Sequence, residues 1–273
     1  MASKFRTTEL SNPEFESDNL RFITVKTPNL KGRGDICLYV PSVNISEDIP
    51  LVILLHGVYG SAWIWSQKAG VHRTAEKLIL EESISPMLIA MPSDGLLGDG
   101  TAYLPHHSLN FEKWIVEDVI AAVQENIPEM TQKSSVYIAG LSMGGYGALR
   151  LGAKYPSIFS GISGHSSITA LAQMRLFVEE PLESFEQDNE DDVSVLSTII
   201  KNRDTLPPLR FDCGVGDELI DYNRTLHQRL KQAHIKHDYQ EFSGKHEWVY
   251  WEHHVKDSLK FFSVIEQKKE ISS

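Results

Sequence analysis

The chain has 273 residues, 41% of them hydrophobic and 23% charged, which suits one large α/β domain with a sizeable core. Its formal net charge of −11 disfavours nucleic acid and anionic membrane as partners. No apolar run is long enough to span a bilayer, and residues 1–6 lack the apolar core of a secretory leader, so the expectation is a soluble, cytoplasmic protein. A homodimer is compatible with this composition. The two cysteines, Cys37 and Cys213, sit in apolar strand-like runs, the setting of buried free thiols rather than of a disulfide.

In chain order, Leu20–Thr27 alternates apolar and polar residues and reads as a strand. Residues 33–40 read as its partner, and 28–32 as the hairpin between them. Leu51–Leu55 is continuously apolar, as a strand covered on both faces would be. A helix is expected over 71–82, a buried strand over 87–91, and a long loop rich in Gly, Asp and His over 93–109. The amphipathic stretch 110–126 reads as a helix, with Asn110 as N-cap and Pro128 beyond its end. Further strands are expected at 136–139, 159–164, 209–213 and 237–242, and helices at 143–154, 219–233 and 247–265. Strands alternating with helices predict an α/β fold: a mostly parallel central sheet with helices on both faces and an antiparallel N-terminal edge. One segment, 169–206, departs from the alternation and contains an acidic run, 179–192, with no Lys or Arg. It is either a small cap over the site or a solvated excursion.

The stretch Gly140-Leu141-Ser142-Met143-Gly144 carries the most chemistry. It follows an apolar strand and precedes a helix. A strand-to-helix reversal this sharp leaves no room for side chains two residues either side of Ser142. It also exposes the serine hydroxyl on a strained backbone, the arrangement of a nucleophile elbow. A serine hydroxyl needs a base to take its proton and a third group to orient that base. In an open parallel sheet these partners belong in loops past the carboxyl ends of later strands. Asp217, in Cys213-Gly214-Val215-Gly216-Asp217, occupies one such loop, and His246, in Ser243-Gly244-Lys245-His246, another. Asp212 falls within its strand, Asp221 within the next helix, and Glu218 points elsewhere. His237 belongs to a strand, and His253 and His254 are expected on the surface of the last helix. His56, His106, His107 and His165 are candidates to lie near the site without acting as the base.

Attack on a carbonyl produces an oxyanion that fixed N–H donors must stabilise. One expected donor is the Met143 N–H, directly after the serine. The second should come from His56-Gly57-Val58-Tyr59-Gly60, with the Val58 N–H favoured and Tyr59 and Gly57 as rivals. Gly57, Tyr59, Trp63 and Trp248 are candidates to line a substrate pocket; for the tryptophans, Trp65 included, core packing is the alternative. His246-Glu247 begins like a zinc-binding His-Glu-x-x-His helix, but position 250 is Tyr. There is neither a P-loop nor a dinucleotide fingerprint, so no metal and no organic cofactor is expected.

These motifs give the chain a resemblance to the putative-esterase family of α/β-hydrolases, which includes esterase D (S-formylglutathione hydrolase), tributyrin and feruloyl esterases and the antigen 85 mycolyltransferases. It rests on Leu54-Leu55-His56-Gly57 with Trp63 and Trp65, on the extended elbow Gly140-Leu141-Ser142-Met143-Gly144-Gly145-Tyr146-Gly147-Ala148-Leu149, on the Asp217 loop, and on Gly244-Lys245-His246-Glu247-Trp248 with Tyr250-Trp251. The resemblance implies Ser142 as nucleophile, Asp217 as acid, His246 as base and an oxyanion N–H from Val58. The loop at 56–60 differs from the Ser-Gly-Leu-Thr-Cys type of the S-formylglutathione hydrolases and is closer to the tributyrin and feruloyl branches. The expectation is a serine carboxylesterase acting on small or short-acyl esters. Acyl transfer, thioester hydrolysis and a non-catalytic binding module on the same fold are the alternatives.

Overall fold

The computed structural model describes residues 3–185, 187 and 190–272. Its centre is a nine-stranded sheet of order β1-β2-β3-β5-β4-β8-β9-β10-β11. Strands β1 (Thr8–Leu10), β2 (Leu20–Thr27) and β3 (Gly32–Tyr39) form the antiparallel edge. The remaining strands are parallel to one another: β4 (Leu51–Leu55), β5 (Leu88–Pro92), β8 (Val136–Leu141), β9 (Phe159–His165), β10 (Leu209–Gly214) and β11 (Asp238–Phe242). Between β5 and β8 lies a separate two-residue pairing of β6 (Pro105–His106) with β7 (Leu109–Asn110).

The apolar run of β4 shows why the sheet is covered on both sides. Leu51, Ile53 and Leu55 enter one core, Val52 and Leu54 the other, because successive side chains of a strand point to opposite faces. The second core contains residues of α1 (Ile64–Gln67), α2 (Val71–Leu80) and α8 (Trp248–Ser272). The first contains residues of α5 (Met143–Lys154), α6 (Val195–Lys201), α7 (Ile220–Gln232) and the helical stretch 111–126. That stretch begins where expected: the Asn110 side chain accepts the Lys113 N–H at 2.8 Å. It is α-helical at both ends, α3 (Phe111–Lys113) and α4 (Ile120–Asn126), with a π-helical section, Trp114–Val119, between them. There the buried Trp114 indole donates to the Ser93 carbonyl at 2.7 Å.

Other differences from expectation are local. The last helix runs to Ser272 rather than 265, since the Glu-Gln-Lys-Lys-Glu residues after Ile265 are good helix formers with no glycine to stop them. Strand β1 was not foreseen, being too short and polar to show a pattern. The 169–206 segment folds into short 3-10 turns and α6, and buries Met174, Leu182, Phe185, Val195 and Ile199 in the first core. It is not a solvated excursion over those residues; 186, 188 and 189 of the acidic run lie outside the described residues. No helix among the described residues is long and apolar enough to cross a membrane.

Candidate active site

Ser142 is the single residue between the end of β8 and the start of α5. Its φ of 53° and ψ of −119° lie where residues with a Cβ rarely sit. The flanking glycines permit this turn. A Cβ at Gly140 would overlap the Gly144 carbonyl, and one at Gly144 the carbonyls of Leu55 and His56. The strained residue is fixed by its neighbours: its N–H donates to the His165 carbonyl at 3.0 Å, and its own carbonyl accepts the Tyr146 N–H at 3.0 Å and the Ile168 N–H at 3.2 Å.

The loops after β10 and β11 lean on each other. The Val215 N–H donates to the Phe242 carbonyl at 2.8 Å and the Gly216 N–H to the Gly244 carbonyl at 2.9 Å. A Cβ at Gly214 would come within 2.6 Å of that same Gly244 oxygen. This close approach brings Asp217 and His246 together. The buried Asp217 carboxylate also accepts the Leu219 N–H at 2.8 Å, which turns it toward the imidazole. His246 Nδ1–H donates to Asp217 at 3.1 Å (Oδ1) and 3.0 Å (Oδ2), and Ser142 Oγ–H donates to His246 Nε2 at 3.0 Å. Serine and histidine, 104 positions apart in the chain, are thus in direct contact. This arrangement can move a proton off a hydroxyl and hold the resulting imidazolium against a carboxylate.

Among the expected oxyanion donors, the Val58 and Met143 N–H groups have no acceptor among the described residues. The Tyr59 N–H donates to the Asp99 carbonyl at 2.8 Å, which removes it as a rival; Gly57 remains one, and a Cβ there would sit 3.3 Å from the Ser142 Cβ. The loop keeps its shape through buried His56, which donates from Nδ1 to the Gly57 carbonyl at 2.7 Å and accepts the Asp94 N–H on Nε2 at 3.1 Å. Trp65 is core, its indole donating to the Leu55 carbonyl at 3.1 Å. Trp63 is half exposed. Trp248 stands one ring away from the site: it packs edge-on against Trp251, whose ring meets His246 at 4.9 Å.

The rival groups lie elsewhere. Asp212 is fully buried in β10, paired with Arg210 at 2.8 Å and His165 at 2.9 Å and accepting the Tyr250 hydroxyl at 2.7 Å. His254, expected on the surface, is buried. It stacks on Phe242 at 4.2 Å and pairs with Asp257 at 2.9 Å, because the helix turns this position toward the end of β11. His253 is on the exposed side. His237 precedes β11 rather than lying in it. The pKa of His106 is pushed down to about 4, chiefly by burial, and its ring packs at a tilt against both Phe111 and Phe185. No cluster of three or more His, Cys, Asp or Glu able to hold a metal ion occurs among the described residues.

One neighbour of the site was missed. Phe177, in the 169–206 segment, lies face to face with His246, ring centroids 4.9 Å apart at 23°. Its carbonyl accepts the Tyr59 hydroxyl at 2.7 Å. No sequence motif marks it, since the segment follows neither helical nor strand periodicity.

A family model described as "Putative esterase" matches residues 27–262. The acetyl esterase of Caldicellulosiruptor saccharolyticus is 26% identical over 264 residues, covering 90% of this chain and 92% of that one. Among solved structures, a ferulic acid esterase superposes with a TM-score of 0.77 at 19% identity, over 96% of this chain and all of the other. An S-formylglutathione hydrolase from Agrobacterium tumefaciens does so with a TM-score of 0.75 at 17% identity, over 95% and 98%. The fold is that of the α/β-hydrolases.

Proposed function

Because the chain belongs to the putative esterase family, we propose that it is a serine carboxylesterase acting on small or short-acyl esters through an acyl-enzyme on Ser142. The observation that carries the reading is the unbroken hydrogen-bonded chain from Ser142 through His246 to Asp217. His246 takes the Ser142 proton as Oγ attacks the ester carbonyl. Asp217 holds the imidazole in the tautomer that presents Nε2 to the serine and stabilises its charged form. The Met143 and Val58 N–H groups receive the oxyanion, each such donor typically contributing about 10²–10³ in rate. His246 then protonates the departing alcohol, activates water and releases the acid. A short acyl group is supported by the close packing of the two residues that carry the proposed oxyanion donors, Met143 and Val58. The buried Met143 side chain places its sulfur 3.4 Å from the Ala102 N–H, and Gly100 packs between Met143 and Val58. The acetyl esterase relative points the same way.

The test is a pH-stat assay on ethyl esters from acetate to octanoate, with wild type and Ser142→Ala. Hydrolysis should be fastest for the shortest acyl groups. It should fall by about 10⁴-fold or more in the variant, as nucleophile removal does elsewhere, while the variant stays folded. Retention of most activity by Ser142→Ala would place the nucleophile elsewhere.

A further inference from the structure

We infer that Phe177 is a specificity-determining platform for the alcohol portion of the substrate, and that this alcohol carries a ring with an apolar face, aryl or pyranose. The inference rests on the esterase reading above. The leaving oxygen must come within hydrogen-bond reach of His246 Nε2 to be protonated. One face of that imidazole lies against Phe177, 4.9 Å away and nearly parallel. The alcohol therefore departs past the Phe177 ring.

Phe177 is half-buried and firmly held. Its N–H donates to the carbonyl of fully buried Met174 at 2.8 Å, and its carbonyl accepts the Tyr59 hydroxyl at 2.7 Å. Just beyond it, the Glu179 N–H donates to Asp99 Oδ2 at 2.9 Å while the Asp99 N–H donates to Glu180 Oε1 at 3.0 Å. This reciprocal clamp ties the segment to the loop after β5. Beside the platform, Tyr59, whose hydroxyl bonds the Phe177 carbonyl, and the adjacent Leu176 expose large apolar side chains, at 64% and 51%. Ser142, by contrast, is only 2% exposed. A confined nucleophile beneath an apolar, partly aromatic rim fits an ester whose acyl part is small and whose alcohol part is broad. Stacking on preset rings adds selectivity without an ordering cost.

The experiment compares kcat/KM for ethyl acetate, benzyl acetate and methyl 6-O-acetyl-α-glucopyranoside. All three release a primary alcohol, so contact rather than leaving-group reactivity dominates the comparison. At least one ring acetate should be preferred over ethyl acetate by about tenfold, and which one distinguishes an aryl from a sugar source. Phe177→Ala should remove most of that preference. Tyr59→Phe, which keeps both rings but releases the anchor, should remove part of it. The ethyl acetate to ethyl butyrate ratio should stay put in both variants. The inference is overturned by the absence of ring preference in wild type, by a preference that survives Phe177→Ala, or by an effect of Phe177→Ala on the acyl ratio instead. Ethyl acetate hydrolysis together with fluorophosphonate labelling of Ser142 in wild type separates the two readings. If both are missing, the esterase reading and this one fall together; if both are present without ring preference, only this one falls.

Discussion

Asp212→Asn is the most demanding test of how the site is supported. The carboxylate sits fully buried in β10, the strand that leads to Asp217, paired with Arg210 and His165 and accepting the Tyr250 hydroxyl. Burial by itself would raise its pKa, yet the charge and hydrogen bond of His165, then Arg210 and Tyr250, outweigh burial and hold it down to about 2 from an ordinary 3.8. Such a depression corresponds to about 2 kcal/mol of stability at neutral pH. The folded-state pKa is the lower one, so this contribution is complete above pH 3.8 and lost as the pH falls toward 2. Replacing the carboxylate by an amide also leaves the 3%-exposed Arg210 without its counter-ion, and breaking a buried pair from one side costs about 3–5 kcal/mol. For a chain of this size that lowers Tm by about 6–20 °C. Far-UV circular dichroism melts and urea titrations at pH 7 and pH 3 measure both effects, and the gap between variant and wild type should narrow in acid. A loss below about 1 kcal/mol, or a gap that widens in acid, would refute the reasoning.

Asp217→Asn should keep the fold and lower kcat by about 10⁴, read in the same ester assay; a loss of tenfold or less would mean that Asp217 does not orient the base. Gly144→Ala places a Cβ against the Leu55 and His56 carbonyls, rigid backbone that cannot yield, so soluble expression or Tm should drop clearly, as calorimetry would record. Cys37 and Cys213 are buried and unpaired, with the Cys37 thiol raised to about 11 and that of Cys213 raised further, each mainly by burial. An aromatic disulfide reagent should therefore label both quickly in urea and only slowly in native buffer.

What the sequence disclosed and what it hid follow from the range of the forces involved. The elbow was legible because one tight turn imposes glycine at two fixed positions, a strictly local constraint. The Asp217 and His246 loops were legible because parallel strands announce themselves as apolar runs, and chemistry collects at their ends. Phe177 was hidden because its contact with His246 spans 69 positions of chain, through a segment of irregular turns with no period to read. The Arg210–Asp212–His165–Tyr250 cluster was hidden for a related reason. Each member sits in a strand or helix where a charged residue ordinarily faces water, and only the register Asp212↔His165 between β10 and β9 turns these groups toward each other. His254 failed by the same route: helical position alone does not say which face the end of β11 covers.

His246, the base in the proposed mechanism, follows directly on β11, a strand at the edge of the sheet. β11 is hydrogen-bonded on one side only, to β10, and its residues are among the least covered in the sheet. Cooperative units at such margins open before the interior does. On the proposed mechanism, a molecule would therefore fall silent while almost all of its architecture persists, Ser142 still poised at the end of β8 but deserted by His246. Durability of function in this chain would then be set by the grip of one frayable border rather than by the depth of its two cores.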